Sequence, residues 1–288
     1  MTTVRDLRIK AIQRLEAVGF DSPQMDVDLL LEQGLGLSTL DFILEPGHQV
    51  ADPDAAAFQA LIDRRLTREP VSQIVGRRDF WSLTFRVSRD CLTPRPDSET
   101  LIEAALKAVP DATAPLKILD LGTGSGCLLL SLMSELPNSR GVGIDMSAAA
   151  LTCAKDNARR LGFLDRCDFR VSDWVDFAAD QSQNRAEKFD IILCNPPYIA
   201  EAEKAGLAPD VRDYEPHMAL FADDDGYQDY QTLSGIIPEL STPGGHIFME
   251  IGHTQAARVT KIFTKTGAKN IRIFQDLAGR DRCVAFKY

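Results

Sequence analysis

The chain has 288 residues, 44% of them apolar and 26% charged, with a formal net charge of −10. That is the composition of a folded protein long enough for two compact domains, and it excludes a disordered chain. The acidity argues against a bare nucleic-acid backbone as the main partner, because that affinity comes from neutralising phosphates with lysine and arginine.

The first 70 or so residues read as helices only. Thr3 is placed to cap a helix whose apolar positions Val4, Leu7, Ala11, Leu15 and Val18 follow the 3.6-residue period up to Gly19. Ser22 is placed to cap a second helix, with Pro23 at its first position and Gly34 at its end. A third runs from about residue 54 to 68, before Pro70. Residues 1–75 carry 7 Lys/Arg against 12 Asp/Glu and no nucleotide motif, so an all-α bundle that packs or binds a partner is expected there. Residues 71–87 turn β-prone and predict a hairpin: a strand at 73–75, a turn at 76–79 and a strand at 80–87. It links the two domains through residues 76–96.

From residue 97 to 288 an α/β domain is expected. A helix from 98 to about 109 precedes strands at 117–121, 141–145, 168–171, 190–194 and 246–251, which alternate with helices near 126–135, 147–161, 227–240 and 254–266. This pitch means a Rossmann-like parallel sheet with helices on both faces. Two last strands, near 270–274 and 282–286, are joined by a loop too short for a helical crossover. The final strand of the seven therefore runs antiparallel. No apolar run reaches the roughly 18 residues of a membrane span, and the N-terminus lacks the apolar core of a signal peptide, so a cytoplasmic location is expected.

The strand ending at Leu121 runs into Gly122-Thr123-Gly124-Ser125-Gly126 and then a helix. Glycines allow a tight turn and close approach of backbone to ligand, and the helix start offers free N–H groups. The dinucleotide fingerprint G-x-G-x-x-G spaces its last two glycines three apart, whereas these alternate, which fits a cofactor without a pyrophosphate. Asp145 ends the next strand about twenty residues on, where its carboxylate can accept both ribose hydroxyls of an adenosyl group or cap the helix after it. Trp174 follows the third strand and either walls an adenine or packs in the core. Asp120 is expected to fix the loop by accepting from its N–H groups, with direct ligand contact as the alternative.

Asn195-Pro196-Pro197-Tyr198 follows the fourth strand. In a doubly wound sheet the first and fourth strands are neighbours at the switch point, so the tetrapeptide faces the glycine loop. It suits the presentation of a planar NH₂ nitrogen to an electrophilic methyl: the Asn195 side-chain oxygen and the Pro196 carbonyl hold the amine hydrogens, the prolines stiffen the segment, and Tyr198 packs on the planar group. Six cysteines (Cys91, Cys127, Cys153, Cys167, Cys194 and Cys283) include no C-x-x-C pair, and neither a disulfide framework nor a metal site is expected.

The Asn195–Tyr198 signature with the Gly122–Gly126 loop resembles the class I S-adenosylmethionine (SAM)-dependent amino-methyltransferases. Three further stretches resemble one subfamily, the PrmC/HemK release-factor glutamine methyltransferases: residues 70–76 with Phe80-Trp81, residues 93–99 (TPRPDSE), and residues 210–216 (DVRDYEP). The resemblance implies a seven-stranded class I methyltransferase sheet. It also implies N5-methylation of the glutamine in the Gly-Gly-Gln loop of bacterial peptide chain release factors, a step of translation termination, with S-adenosylhomocysteine as product. Carried over, Gly122, Thr123, Gly124, Ser125, Gly126, Asp145, Trp174 and Asn195 would line SAM. Asn195, Pro196, Pro197 and Tyr198 would hold the glutamine amide, with Asn195, Pro196 and Tyr198 as catalytic residues and Arg95 closing the cofactor pocket or holding the interdomain loop. Ser98 stands where threonine is common.

The competing readings are a ribosomal-protein glutamine methyltransferase and an N6-adenine or N2-guanine nucleic-acid methyltransferase, since the tetrapeptide takes any planar amine. Charge separates them: residues 201–229 hold 2 Lys/Arg against 9 Asp/Glu. Such a loop repels a phosphate backbone within a Debye length of roughly 8 Å. It is therefore expected to contribute to a docking face for release factor, with neither nucleic acid nor membrane as partner.

Overall fold

The computed structural model describes residues 2–183 and 187–288. The chain divides into two compact units, Met1–Arg77 with Ala208–Tyr214, and Arg78–Leu207 with Glu215–Tyr288.

In the first unit the helices Val4–Ala17, Pro23–Leu35 and Asp52–Leu66 bury Leu7, Ala11, Leu15, Val27, Leu30, Phe58 and Ile62 against one another. Thr3 caps the first, accepting from the Asp6 N–H while Asp6 accepts from the Thr3 N–H. Ser22 does not cap the second with its hydroxyl. Gly34 does not end it either: the helix passes through and stops at Gly36, which takes φ +67°. Gly34 is instead a point of close approach, since a Cβ there would meet Leu61 Cδ1 at 3.2 Å and the Phe58 Cα at 3.4 Å. A short helix, Thr39–Leu44, capped by Ser38 and Asp41, has too few residues for a periodic signal.

The helix Pro209–Tyr214 belongs to this unit although it lies far along the chain, a return that a division at residue 75 does not anticipate. The Tyr214 hydroxyl donates to the Thr67 carbonyl at 2.7 Å, and Gln73 Nε2 donates to the Tyr214 carbonyl at 3.3 Å. Buried Arg65 binds Asp26 at 2.7 Å, lies 4.1 Å from the Phe20 ring centroid, and has Asp210 at 3.9 Å.

Residues 73–75 are not a strand. Val71–Val75 is a helix, which Pro70 precedes and Gly76 stops at φ +70°; this punctuation overrides the β-propensity of Ile74 and Val75. The hairpin pairs Arg77–Phe80 with Leu83–Arg86 and turns at Trp81-Ser82, with Trp81 at φ +55°.

The second unit is built on seven strands: β1 (Lys117–Leu121), β2 (Arg140–Asp145), β3 (Cys167–Val171), β4 (Phe189–Cys194), β5 (Ser241–Glu250), β6 (Lys269–Gln275) and β7 (Asp281–Lys287). Their order is β3-β2-β1-β4-β5-β7-β6, and β7 runs antiparallel to both its neighbours. One face buries Leu101, Leu129, Met133 and Ala154 of the helices Glu99–Ala108, Cys127–Glu135 and Ala148–Arg160. The other buries Phe177, Leu233, Ile237 and Phe263 of Trp174–Gln183, Gln228–Leu240 and Ala256–Lys265. Leu121 pairs with Ile144 on one side and with Cys194 on the other, so the loop after β1 lies between Asp145 and Asn195.

Candidate active site

A cavity of about 480 Å³ opens at the carboxyl ends of the strands, where the chain order reverses. Gly122, Thr123, Gly124 and Ser125 line it with Asp145, Trp174, Asn195 and Pro197. Gly126, Pro196 and Tyr198 are not among its lining residues. Gly126 ends the loop as the N-cap of the helix Cys127–Glu135, at φ +80°.

The loop needs its glycines: Gly122 takes φ +80° and Gly124 φ +55°, a left-handed backbone that side chains resist. Asp145 holds it from the neighbouring strand, one carboxylate oxygen accepting from Gly124 N–H at 2.9 Å and the other from Ser147 N–H at 2.8 Å. Trp174 both lines the cavity and packs on the apolar cluster behind it.

Asp120 does not bind the loop N–H groups. Its carboxylate accepts from the Thr123 hydroxyl at 2.7 Å, while the Gly122 and Thr123 N–H groups go to the Ile144 carbonyl. Asp120 is fully buried and its Oδ1 has no protein partner. Burial, with a smaller contribution from Asp145, pushes its pKa up to about 7. The neutral form is therefore favoured by folding, and the stability it contributes is complete below pH 4 and lost as pH rises toward 7. Asp120→Asn, which stays neutral, is expected to gain stability relative to the native chain over that window, on the order of 4 kcal/mol. Denaturant titrations at pH 4 and 8 showing the same difference between the two proteins would refute it.

Along the cavity wall the TPRPDSE segment ties several motifs together. Thr93 N–H donates to buried Glu215 at 3.1 Å, and Arg95 reaches the same carboxylate at 3.2 Å. Arg95 also lines the cavity, so it does not choose between its two expected roles. Asp97 pairs with Arg282 at 3.2 Å, Ser98 Oγ faces Asn195 Nδ2 at 3.5 Å, and Glu99 accepts from the Trp81 N–H at 2.7 Å.

The tetrapeptide is braced from its far side. The Tyr198 hydroxyl donates to buried Glu250 at 3.2 Å, with Arg282 at 3.4 Å. The Tyr198 carbonyl accepts from Gln255 Nε2 at 3.0 Å, and Gln255 Oε1 accepts from the Tyr230 hydroxyl at 3.2 Å. Gly226, at φ +84°, lies so close that a Cβ would stand 2.3 Å from the Tyr198 carbonyl oxygen. Gly226→Ala is expected to cost roughly 2–4 kcal/mol through strain and overpacking and to lower turnover by displacing the tetrapeptide. An unchanged urea midpoint would contradict this.

Most carboxylates of the acidic 201–229 stretch have partners inside the chain. Glu215 serves Thr93 and Arg95, Asp224 binds Arg258 at 2.6 Å, Glu201 binds Lys204 at 2.9 Å, and Asp213 binds Arg212 at 2.7 Å. Part of the charge that marked the stretch as a docking face thus helps to hold it in place. Asp229, which belongs to no motif of the sequence, lines the cavity one helical turn before Thr232. Burial, and then the charge of Asp223, raise it to about 6. Its signal was its position in the first turn of a helix that returns to the sheet.

Among the described residues no group of three or more His, Cys, Asp or Glu is placed to hold a metal ion, and no helix is long and apolar enough to cross a membrane.

Residues 6–76 match the family model of the PrmC N-terminal domain, and residues 112–277 match that of a methyltransferase domain. The release factor glutamine methyltransferase of Cereibacter sphaeroides is 42% identical, over 96% of this chain and 95% of its own length. That of Rhodospirillum rubrum is 40% identical, over 94% and 81%. Among solved structures, a SAM-dependent methyltransferase from Agrobacterium tumefaciens aligns with a TM-score of 0.50 over 73% of this chain and 69% of that one. At 17% identity the likeness is one of fold.

Proposed function

Because the chain belongs to the family of release factor glutamine methyltransferases, we infer that it transfers a methyl group from SAM to the side-chain amide nitrogen (N5) of the glutamine in the Gly-Gly-Gln loop of bacterial peptide chain release factors. S-adenosylhomocysteine is the second product. The observation that carries this reading is the placement of Asn195 and Pro197 in one cavity with the Gly122–Ser125 loop.

The residues present fit SAM. The cavity is within the roughly 300–1,000 Å³ usual for small-molecule sites, its floor is backbone with left-handed glycines, and its walls offer a carboxylate, Asp145, and a flat aromatic, Trp174. When bound, SAM supplies a methyl group on a sulfonium. Asp145 keeps lone pairs for ribose hydroxyls after its two backbone bonds, Trp174 covers the adenine, and Gly122 to Gly126 give the ligand room.

An amide nitrogen is a poor nucleophile because its lone pair is delocalised, so the chain's task is orientation more than activation. Asn195 Oδ1 and the Pro196 carbonyl accept the two amide hydrogens and turn the nitrogen toward the methyl. Tyr198, its hydroxyl tied to Glu250 and its ring packed on the apolar cluster, holds the tetrapeptide in place. No residue takes a proton before transfer, since the nitrogen sheds it as or after it gains the methyl. The first unit, with its own core, is assigned to recognition of the release factor.

Mass spectrometry of release factor incubated with this protein and SAM should find one added methyl on the Gly-Gly-Gln glutamine. A methyl on a ribosomal-protein glutamine or on a nucleic-acid base, with none on release factor, would overturn the reading.

A further inference from the structure

Two of the free cysteines meet: Cys91 Sγ and Cys153 Sγ lie 3.8 Å apart, although 62 residues separate them in the chain. A disulfide needs about 2.05 Å, so bonding would close the gap by about 1.8 Å. By contrast, Cys167 Sγ meets the Met133 thioether at 3.6 Å, which cannot form a disulfide. Cys91 is 2% exposed, whereas Cys153, on the helix Ala148–Arg160, is half-buried and is the sulfur that a reagent from solvent reaches first. The two thiols are hydrogen-bonded, so the first proton lost leaves one charge that both sulfurs share. Both ends of the contact lead to the cavity. Leu92, Thr93, Pro94 and Arg95, which follow Cys91 directly, line it. The Cys153 helix is fastened one turn later: Asn157 accepts from the Arg86 N–H at 2.7 Å and donates to the Ser125 carbonyl of the glycine loop at 2.9 Å. With the helix held at the hairpin and at the loop, the closing movement falls on residue 91 and the wall segment after it, whose next anchor is the Thr93 N–H on Glu215.

We propose that Cys91 and Cys153 form a site of reversible oxidation, at which a low-molecular-weight disulfide such as glutathione disulfide joins the two sulfurs and the new bond displaces the Leu92–Arg95 wall of the cavity. The Cys153 thiolate attacks one sulfur of the oxidant. A Cys153–glutathione bond forms, the S–S bond of the oxidant breaks, and one glutathione leaves as a thiolate that takes up the proton Cys153 lost. The Cys91 thiolate then attacks Cys153 Sγ, and the second glutathione leaves and takes up the Cys91 proton. Two cysteine sulfurs are oxidised and one glutathione disulfide is reduced to two thiols, and excess dithiothreitol reduces the protein disulfide by the same exchange. The inference rests on the reading given under Proposed function only for SAM as the ligand of the cavity.

The test incubates the full-length protein with excess glutathione disulfide and then blocks the remaining thiols with an alkylating agent. Peptide mapping should find Cys91 joined to Cys153. Calorimetry should find the Kd for SAM raised about 5- to 50-fold in the oxidised protein, the scale of loss that a displacement of about an ångström in a binding wall can cause, and restored by dithiothreitol. Cys153→Ser and Cys91→Ser should each bind SAM within about 3-fold of the native protein before oxidation and keep that affinity after it. Cysteines 91 and 153 recovered unlinked under excess oxidant would overturn the site. Linked cysteines with an unchanged Kd would overturn its hold on the cavity. A fall in affinity on oxidation as large in Cys153→Ser as in the native protein would trace the effect to another thiol and overturn it as well. If the reduced native protein does not bind SAM, the functional reading fails instead, while the mapped bond still decides whether the site exists.

Discussion

Replacing Asn195 by alanine is expected to lower kcat on release factor by about 30- to 1000-fold, equivalent to about 2–4 kcal/mol of transition-state stabilisation. The side chain stands at the end of β4, against the loop that follows β1, and it lines the cavity. What alanine removes is an acceptor aimed at a hydrogen whose nitrogen must be turned out of conjugation as it gains the methyl, so the loss falls on the transition state more than on the ground state. The Kd for SAM should rise far less, because Asp145 and the glycine loop remain. Steady-state turnover and calorimetry on one preparation separate the two. Turnover like that of the native enzyme would remove Asn195 from its role, while equal losses of turnover and SAM affinity would make it a cofactor contact.

The parts of this site legible in sequence are those whose chemistry is local. A strand, three alternating glycines and a helix announce the loop, and Asn-Pro-Pro-Tyr announces the amine site, because each works through its own backbone and adjacent side chains. Asp145 was legible by its distance from the loop: it accepts from Ser147 N–H just ahead of a helix whose cap is Ser147, and it lines the cavity. What sequence did not show is long-range. Glu250 and Arg282 brace Tyr198 from strands separated from it by 52 and 84 residues. Nothing in residues 208–214 taken alone says that their partners are Thr67 and Gln73. Charge shows the same limit. Nine acidic residues in one stretch look uniformly available until Arg95 and Arg258 are brought to Glu215 and Asp224. At the hairpin the failure was one of local rules in conflict, since β-branched Ile74 and Val75 sit between a proline and a glycine that favour one turn of helix.

Replacing Asp145 by alanine is expected to raise the Kd for SAM by about 10- to 100-fold, about 1.4–2.7 kcal/mol. Two losses combine. A carboxylate that accepts ribose hydroxyls makes charge-assisted hydrogen bonds, each worth more than a neutral one. The same carboxylate also accepts from Gly124 N–H at 2.9 Å, so its removal frees the loop at the residue whose left-handed backbone gives the cavity its floor. Asp145→Asn separates these contributions. Its amide oxygen can still accept from Gly124 or from one hydroxyl, so its Kd should fall between those of the native enzyme and the alanine variant. With SAM saturating, both variants should keep kcat within a few-fold of native, because neither change touches Asn195 or the strand that carries it. A normal SAM affinity in Asp145→Ala would reduce Asp145 to a brace of the Gly124 and Ser147 backbone, and a large loss of kcat at saturating SAM would mean that the loop also positions the methyl for transfer.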